Sequence, residues 1–171
     1  ITVTKKKKIS NENIKYFYED ELQAIFERAN ESDRIIYRLL YETATRVNET
    51  LNIKFEDIYY DRKSKINIVK VRNLKQRNEK ETKEVLITDN LKNEIMEFQK
   101  EHNLSDNDYI CRNYHFVKKT KKIKVTRMTD RTLNRHLARL IEEINADSFN
   151  DINISRDKAH THTFRHTRAI D

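Results

Sequence analysis

Apolar residues along this chain fall into short runs whose spacing changes from that of helix to that of strand and back. Leu22, Ile25 and Phe26 follow Glu19 and Asp20, the acidic opening and the spacing of a short amphipathic helix. Ser32 opens a second helix with Ile35, Ile36, Leu39 and Leu40 on its inner face. Helical spacing resumes over residues 47–53, and residues 55–58 close that run ahead of a charged turn at 61–65. Ile66, Ile68, Val69 and Val71 then read as one strand and residues 85–87 as another, joined by the charged stretch 72–83 into a hairpin with a long tip. Asp89 caps a helix carrying Leu91, Ile95 and Phe98, followed by a polar turn at 102–107 and a short apolar piece at 109–111. The lysine-rich stretch 118–124 forms an exposed loop or hairpin. Thr129 or Asp130 begins a helix that turns Leu133, Leu137, Leu140, Ile141 and Ile144 inward, and beyond a polar loop at 146–157 the last helix spans 159–170. No repeat is visible. These elements predict a mainly α domain with a small antiparallel β-sheet at one edge.

Composition narrows the function. In 171 residues, 35 Lys and Arg against 28 Asp and Glu leave a net charge of +7, which favours a polyanionic partner. DNA, RNA and an anionic membrane all satisfy charge alone. There is no apolar stretch long enough to span a membrane and no apolar signal core near the start, so a soluble cytoplasmic protein is expected. Residues 1–13, with Lys5-Lys6-Lys7-Lys8, read as a basic linker or tail, and residues 14–171 as one domain. The one cysteine, Cys111, has no partner for a disulfide or a CxxC zinc site and is read as packing. Average usage would supply about 12 Gly and about 8 Pro; the chain has neither. Turns must therefore use other residues, with Asn73, Asn103 and Asn107 the expected left-handed positions.

Three places carry candidate chemistry. Arg46 sits at the junction of two apolar helical runs, either as a structural ion pair with Glu49 or Asp57 or as a catalytic group. The hairpin tip bears Arg72, Lys75, Arg77, Lys80 and Lys83, a set of cations suited to a phosphate backbone if it is not simply solvated. The densest is His160-Thr161-His162-Thr163-Phe164-Arg165-His166-Thr167-Arg168. His162 and Arg165 are one helical turn apart and leave the same face. An imidazole beside a guanidinium suits a phosphate, because arginine grips two oxygens while histidine moves a proton near neutral pH. A metal site built from His160, His162 and His166 is the competing reading, although no HExxH glutamate lies between His162 and His166.

The segment Leu39-Leu40-Tyr41-Glu42-Thr43-Ala44-Thr45-Arg46-Val47-Asn48-Glu49-Thr50-Leu51-Asn52-Ile53, with Asp57-Ile58 after it, resembles the first-arginine box of the tyrosine recombinases, the phage-type integrases. Their pattern is Leu-Leu-Tyr-x-Thr-Gly-x-Arg, a hydrophobic residue, x and Glu, then Leu-x-x-Leu and a later Asp-Ile. His162-Thr163-Phe164-Arg165-His166-Thr167 resembles the family's His-x-Leu-Arg-His-Thr box, and the basic hairpin falls between the two, where the family carries its active-site lysine. The likeness runs from about Tyr18 to the end. Ala44 stands where the family has glycine, which removes backbone freedom there. The family's nucleophilic tyrosine follows the second box by a few tens of residues, whereas all eight tyrosines here precede it. The resemblance therefore implies a catalytic domain that lacks its C-terminal end, with the nucleophile beyond Asp171.

It further implies DNA strand exchange through a 3′-phosphotyrosine, with no metal or other cofactor. In that scheme Arg46 and Arg165 hold the non-bridging oxygens, His162 assists proton transfer or binding, and a hairpin lysine protonates the leaving 5′-oxygen. Lys75, just beyond the first strand, is the expected lysine, with Lys70, Lys80 and Lys83 as substitutes. Arg72, Arg77, Lys80, Lys83 and His166 are expected to contact double-stranded DNA. The whole protein is expected to be a tetramer on DNA, and this stretch alone a monomer that binds DNA weakly and cuts nothing. Two other classes remain open, a non-catalytic DNA-binding protein and a metal-dependent nuclease, and the type IB topoisomerases share the same chemistry.

Overall fold

A computed structural model of the chain describes residues 15–73 and 81–170. Six α-helices and five strands are described: α1 (Glu19–Arg28), α2 (Glu31–Thr43), α3 (Val47–Leu51), β1 (Ile58–Asp61), β2 (Ile66–Arg72), β3 (Thr82–Ile87), α4 (Asp89–Glu101), β4 (Arg112–Val117), β5 (Lys122–Arg127), α5 (Asp130–Ala146) and α6 (His162–Ile170). The mainly α architecture with small antiparallel sheets is as the pattern predicts. Lys5 to Lys8, Lys75, Arg77 and Lys80 lie outside the described residues.

The helices form where the apolar stripes lie, with their caps slightly displaced. Asn30 caps α2, its side-chain oxygen accepting the Asp33 N–H at 2.8 Å, so the expected cap Ser32 sits inside the first turn. Thr88 caps α4 by accepting the Leu91 N–H at 3.2 Å, one residue before the expected Asp89. Thr129 caps α5, again through a side-chain oxygen that accepts a backbone N–H. In each case the hydroxyl or amide oxygen satisfies one of the helix's unpaired first-turn donors.

The expected hairpin is the larger part of a three-stranded sheet in the order β1-β2-β3. β1 escaped the pattern because residues 55–58 read as the close of a helical run; Phe55–Asp57 is a single 3-10 turn, and the chain then extends to pair Ile58 with Val69. The stretch 118–124 resolves as the turn and the start of the second strand of a separate ribbon formed by β4 and β5. Among the described residues the left-handed positions are Ala44, Lys65, Asn103 and Lys121. Asn103 was expected; Asn73 and Asn107 are not left-handed.

One apolar core joins the helices to the inner face of the sheet, with Ile36, Leu39, Leu51, Val69, Ile95, Leu137 and Phe164 almost fully buried. Cys111 belongs to it, and burial holds its thiol protonated, in keeping with the packing role expected of it. No helix among the described residues is long and apolar enough to cross a membrane.

Candidate active site

The two sequence boxes lie on elements packed against each other. Phe164 of α6 is fully buried and stacks on Tyr37 of α2, with ring centroids 5.1 Å apart, and also contacts Phe17 and Phe26. One turn further along both helices, the Arg168 guanidinium lies over the Tyr41 ring. Helix α2 then leads directly into Arg46.

Three residues between α2 and α3 set the position of Arg46. Ala44 takes the left-handed conformation (φ 51°, ψ 30°) and ends α2, while Arg46 is extended and begins α3. A buried chain of hydroxyls holds the turn: Thr43 donates to the Leu39 carbonyl at 2.6 Å, and the Thr45 oxygen lies 2.9 Å from that of Thr43 and 2.5 Å from that of Thr50. Glu49, also buried, meets Arg46 Nη1 through Oε1 at 3.5 Å and faces Lys83 Nζ through Oε2 at 3.7 Å. That second oxygen is shut off from solvent and makes no hydrogen bond. It therefore depends on the nearby cation for its stability. Both cations remain about half exposed. Of the two structural partners the sequence allowed for Arg46, Glu49 is the one found; Asp57 instead accepts the Lys54 N–H.

On α6, Thr163, Phe164 and Thr167 point inward, and His162, Arg165 and His166 point away from the core, which is the one-face placement that the spacing predicted. The helix is held from behind. Thr167 accepts the Phe17 N–H at 2.9 Å and donates to the Thr163 carbonyl at 2.7 Å. At its start, Thr161 donates its N–H to Asn134 and its hydroxyl to Asp130, both on α5. Nearby, Lys158 meets Glu21 at 2.6 Å in a nearly buried pair that fixes the approach to the helix. Partial burial lowers the pKa of His162, helped by His166 and His160 and opposed by Asp130. Arg165 is half-buried and makes no ion pair among the described residues. Arg72 is exposed at the end of β2, opposite Thr82.

The histidines do not converge as metal ligands. His160 and His162 stack with ring centroids 5.5 Å apart, and His166 meets His162 edge-on at 5.4 Å. Among the described residues, the only three ligand-type side chains within reach of one ion are Glu31, Glu101 and His102, at the opposite end of α2 from Arg46. The spacing of Arg46 and Glu49 hinted at their pairing, but the sharing of Glu49 with Lys83 had no sequence signal, since 34 residues and a sheet register separate them.

A helical domain with a basic hairpin between two arginine boxes defines a class. Residues 15–171 match the phage integrase family, and the chain belongs to it. Over 49 residues it is 45% identical to the tyrosine recombinase XerC of Staphylococcus aureus, a match covering 25% of this chain and 16% of that protein. Its fold is similar to that of the XerA recombinase (TM-score 0.59, 22% identity, 90% of this chain and 48% of that one). It is also similar to the XerH site-specific recombinase bound to its difH substrate in a pre-cleavage complex (TM-score 0.58, 16% identity, 91% and 41%). The chain thus spans less than half the length of these solved recombinases.

Proposed function

We propose that this chain supplies most of the catalytic domain of a site-specific recombinase that cleaves and rejoins double-stranded DNA through a 3′-phosphotyrosine. The observation that carries the reading is the outer face of α6, where His162, Arg165 and His166 stand together and, among the described residues, Arg165 makes no ion pair, on a helix packed against the one that leads into Arg46. A tyrosine from outside this chain attacks the phosphorus, a bond forms from its oxygen, and the 5′-oxygen leaves. A 5′-hydroxyl later reverses the step. Charge grows on the non-bridging oxygens as phosphorus becomes five-coordinate, and two preorganised guanidinium groups stabilise it where lysine would do so poorly. Partial burial favours the neutral form of His162, which suits a group that accepts a proton from the nucleophile. Lys75 protonates the leaving oxygen. Lys83, which shares Glu49 with Arg46, is its described substitute. Arg72, Arg77, Lys80, Lys83 and His166 contact the duplex. The working form is a cytoplasmic tetramer on DNA, and this chain by itself is a monomer that cuts nothing.

The test uses the full gene product, extended past Asp171, incubated in EDTA with a nicked suicide substrate and resolved on a denaturing gel. A covalent protein–DNA band, lost in Arg46→Lys and Arg165→Lys, is the expected result. Binding without such a band would replace this reading with that of a non-catalytic DNA-binding protein, and cleavage that appears only with added divalent metal would replace it with a nuclease.

A further inference from the structure

The ribbon of β4 and β5 has no part in the site described above. Strands Arg112–Val117 and Lys122–Arg127 pair only with each other, in the register Tyr114↔Val125 and Phe116↔Ile123. These four apolar side chains share one face and are all exposed, Phe116 and Ile123 by about two-thirds (65% and 66%). Cross-strand apolar pairs of this kind hold a two-stranded ribbon together, which in water is otherwise marginal. They do not account for the charge. From Tyr109 to Thr129 the chain contains no Asp or Glu, but it carries Arg112, Lys118, Lys119, Lys121, Lys122, Lys124 and Arg127. The five lysines are exposed, and among the described residues none of them makes an ion pair.

The ribbon is rooted between the two halves of the site. At its base Arg127 donates to Asn52, the residue that ends α3, whose other end is Arg46. On the other side Met128 leads into α5, whose first turns hold Thr161 at the start of the His162 helix. The root thus adjoins α3, which follows Arg46, and α5, which holds the start of the helix that carries His162 and Arg165.

We propose that the β4–β5 ribbon is a second DNA-binding arm, its tip lysines on the phosphate backbone and its apolar face against the groove. The inference rests on the DNA-cleaving reading above. A two-stranded ribbon has dimensions that fit the major groove, and apolar side chains there meet thymine methyl groups. The same apolar face would fit a protein, but charge decides between the two: five exposed lysines with no carboxylate in the ribbon favour a polyanion, and a second copy of a chain with net charge +7 would be repelled in the absence of DNA.

The test measures binding of the chain to a random-sequence duplex of about 40 base pairs by fluorescence anisotropy across a salt series. One variant carries Lys118→Gln, Lys119→Gln, Lys121→Gln and Lys122→Gln. A control of equal charge carries Arg62→Gln, Lys63→Gln, Lys65→Gln and Lys100→Gln, and circular dichroism verifies that both are folded. The arm predicts that the first variant lowers the slope of log affinity against log salt by about 2 to 3 units and weakens binding at ~0.1 M salt by at least ~10-fold, with the control much closer to the parent. Equal losses in both variants would mean that net charge alone acts, and no loss in either, with the parent still binding, would leave the recombinase reading intact; both results overturn the arm. A parent chain that binds no duplex sinks the DNA reading and the arm together. If sedimentation finds a self-associated parent that Phe116→Ser with Ile123→Ser dissociates while DNA affinity is unchanged, the ribbon is a protein interface and the proposal fails.

Discussion

The two arginine boxes are held in opposite ways. Around Arg46 the support is polar: a hydroxyl chain through Thr43, Thr45 and Thr50, and a buried carboxylate, Glu49, set between Arg46 and Lys83. Around Arg165 the largest buried support is apolar, with Phe164 packed among aromatic rings and hydrogen bonds at Thr161 and Thr167 along the helix, while Arg165 itself makes no ion pair among the described residues. A guanidinium fixed by a carboxylate is aimed before any ligand arrives but has part of its charge already used. An unpaired one keeps its full charge for a phosphate and relies on its helix for aim.

The largest way to break this contrast is Phe164→Ala. It removes a fully buried ring from the apolar support and should cost ~3–5 kcal/mol of folding stability in urea unfolding; a loss below about 1 kcal/mol would mean that α6 is held chiefly by its hydrogen bonds to Phe17 and α5. Next in size, Glu49→Gln should destabilise by about 1 kcal/mol, since its partners are half exposed and screened by solvent. Arg165→Ala, with no ion pair to lose, should stay within about 0.5 kcal/mol, and equal effects from these two would erase the distinction between the boxes. The smallest change is expected to be favourable. Ala44→Gly relieves a left-handed alanine and should raise stability by up to about 1 kcal/mol, the gain being reduced by glycine's greater freedom in the unfolded chain. A loss on that substitution would show that the Ala44 methyl packs to advantage.

Much of this was legible before the fold. Leu22 and Ile25 of α1, the stripe from Ile35 to Leu40 and the inner face of α5 all follow helical spacing and all are buried. The shared outer face of His162 and Arg165 was legible too, because residues one helical turn apart leave a helix on the same side, and so short a spacing survives without tertiary information. β1 was not, since a strand of four residues with one buried position has no period to detect. Nor were the left-handed sites at Lys65 and Lys121, which tight turns impose on residues with no preference for that conformation.

By itself, the sequence determined the helical framework, the basic hairpin, the two boxes and the direction in which His162 and Arg165 leave their helix, all properties of residues within a few turns of one another. Only the tertiary structure decided that Glu49 serves Arg46 and Lys83 together, that the second box leans on Tyr37 and Phe17, and that the ribbon of lysines springs from between the two halves of the site. Those contacts join residues tens of positions apart, and their partners are selected by how apolar faces pack and by sheet register, neither of which is written in local spacing.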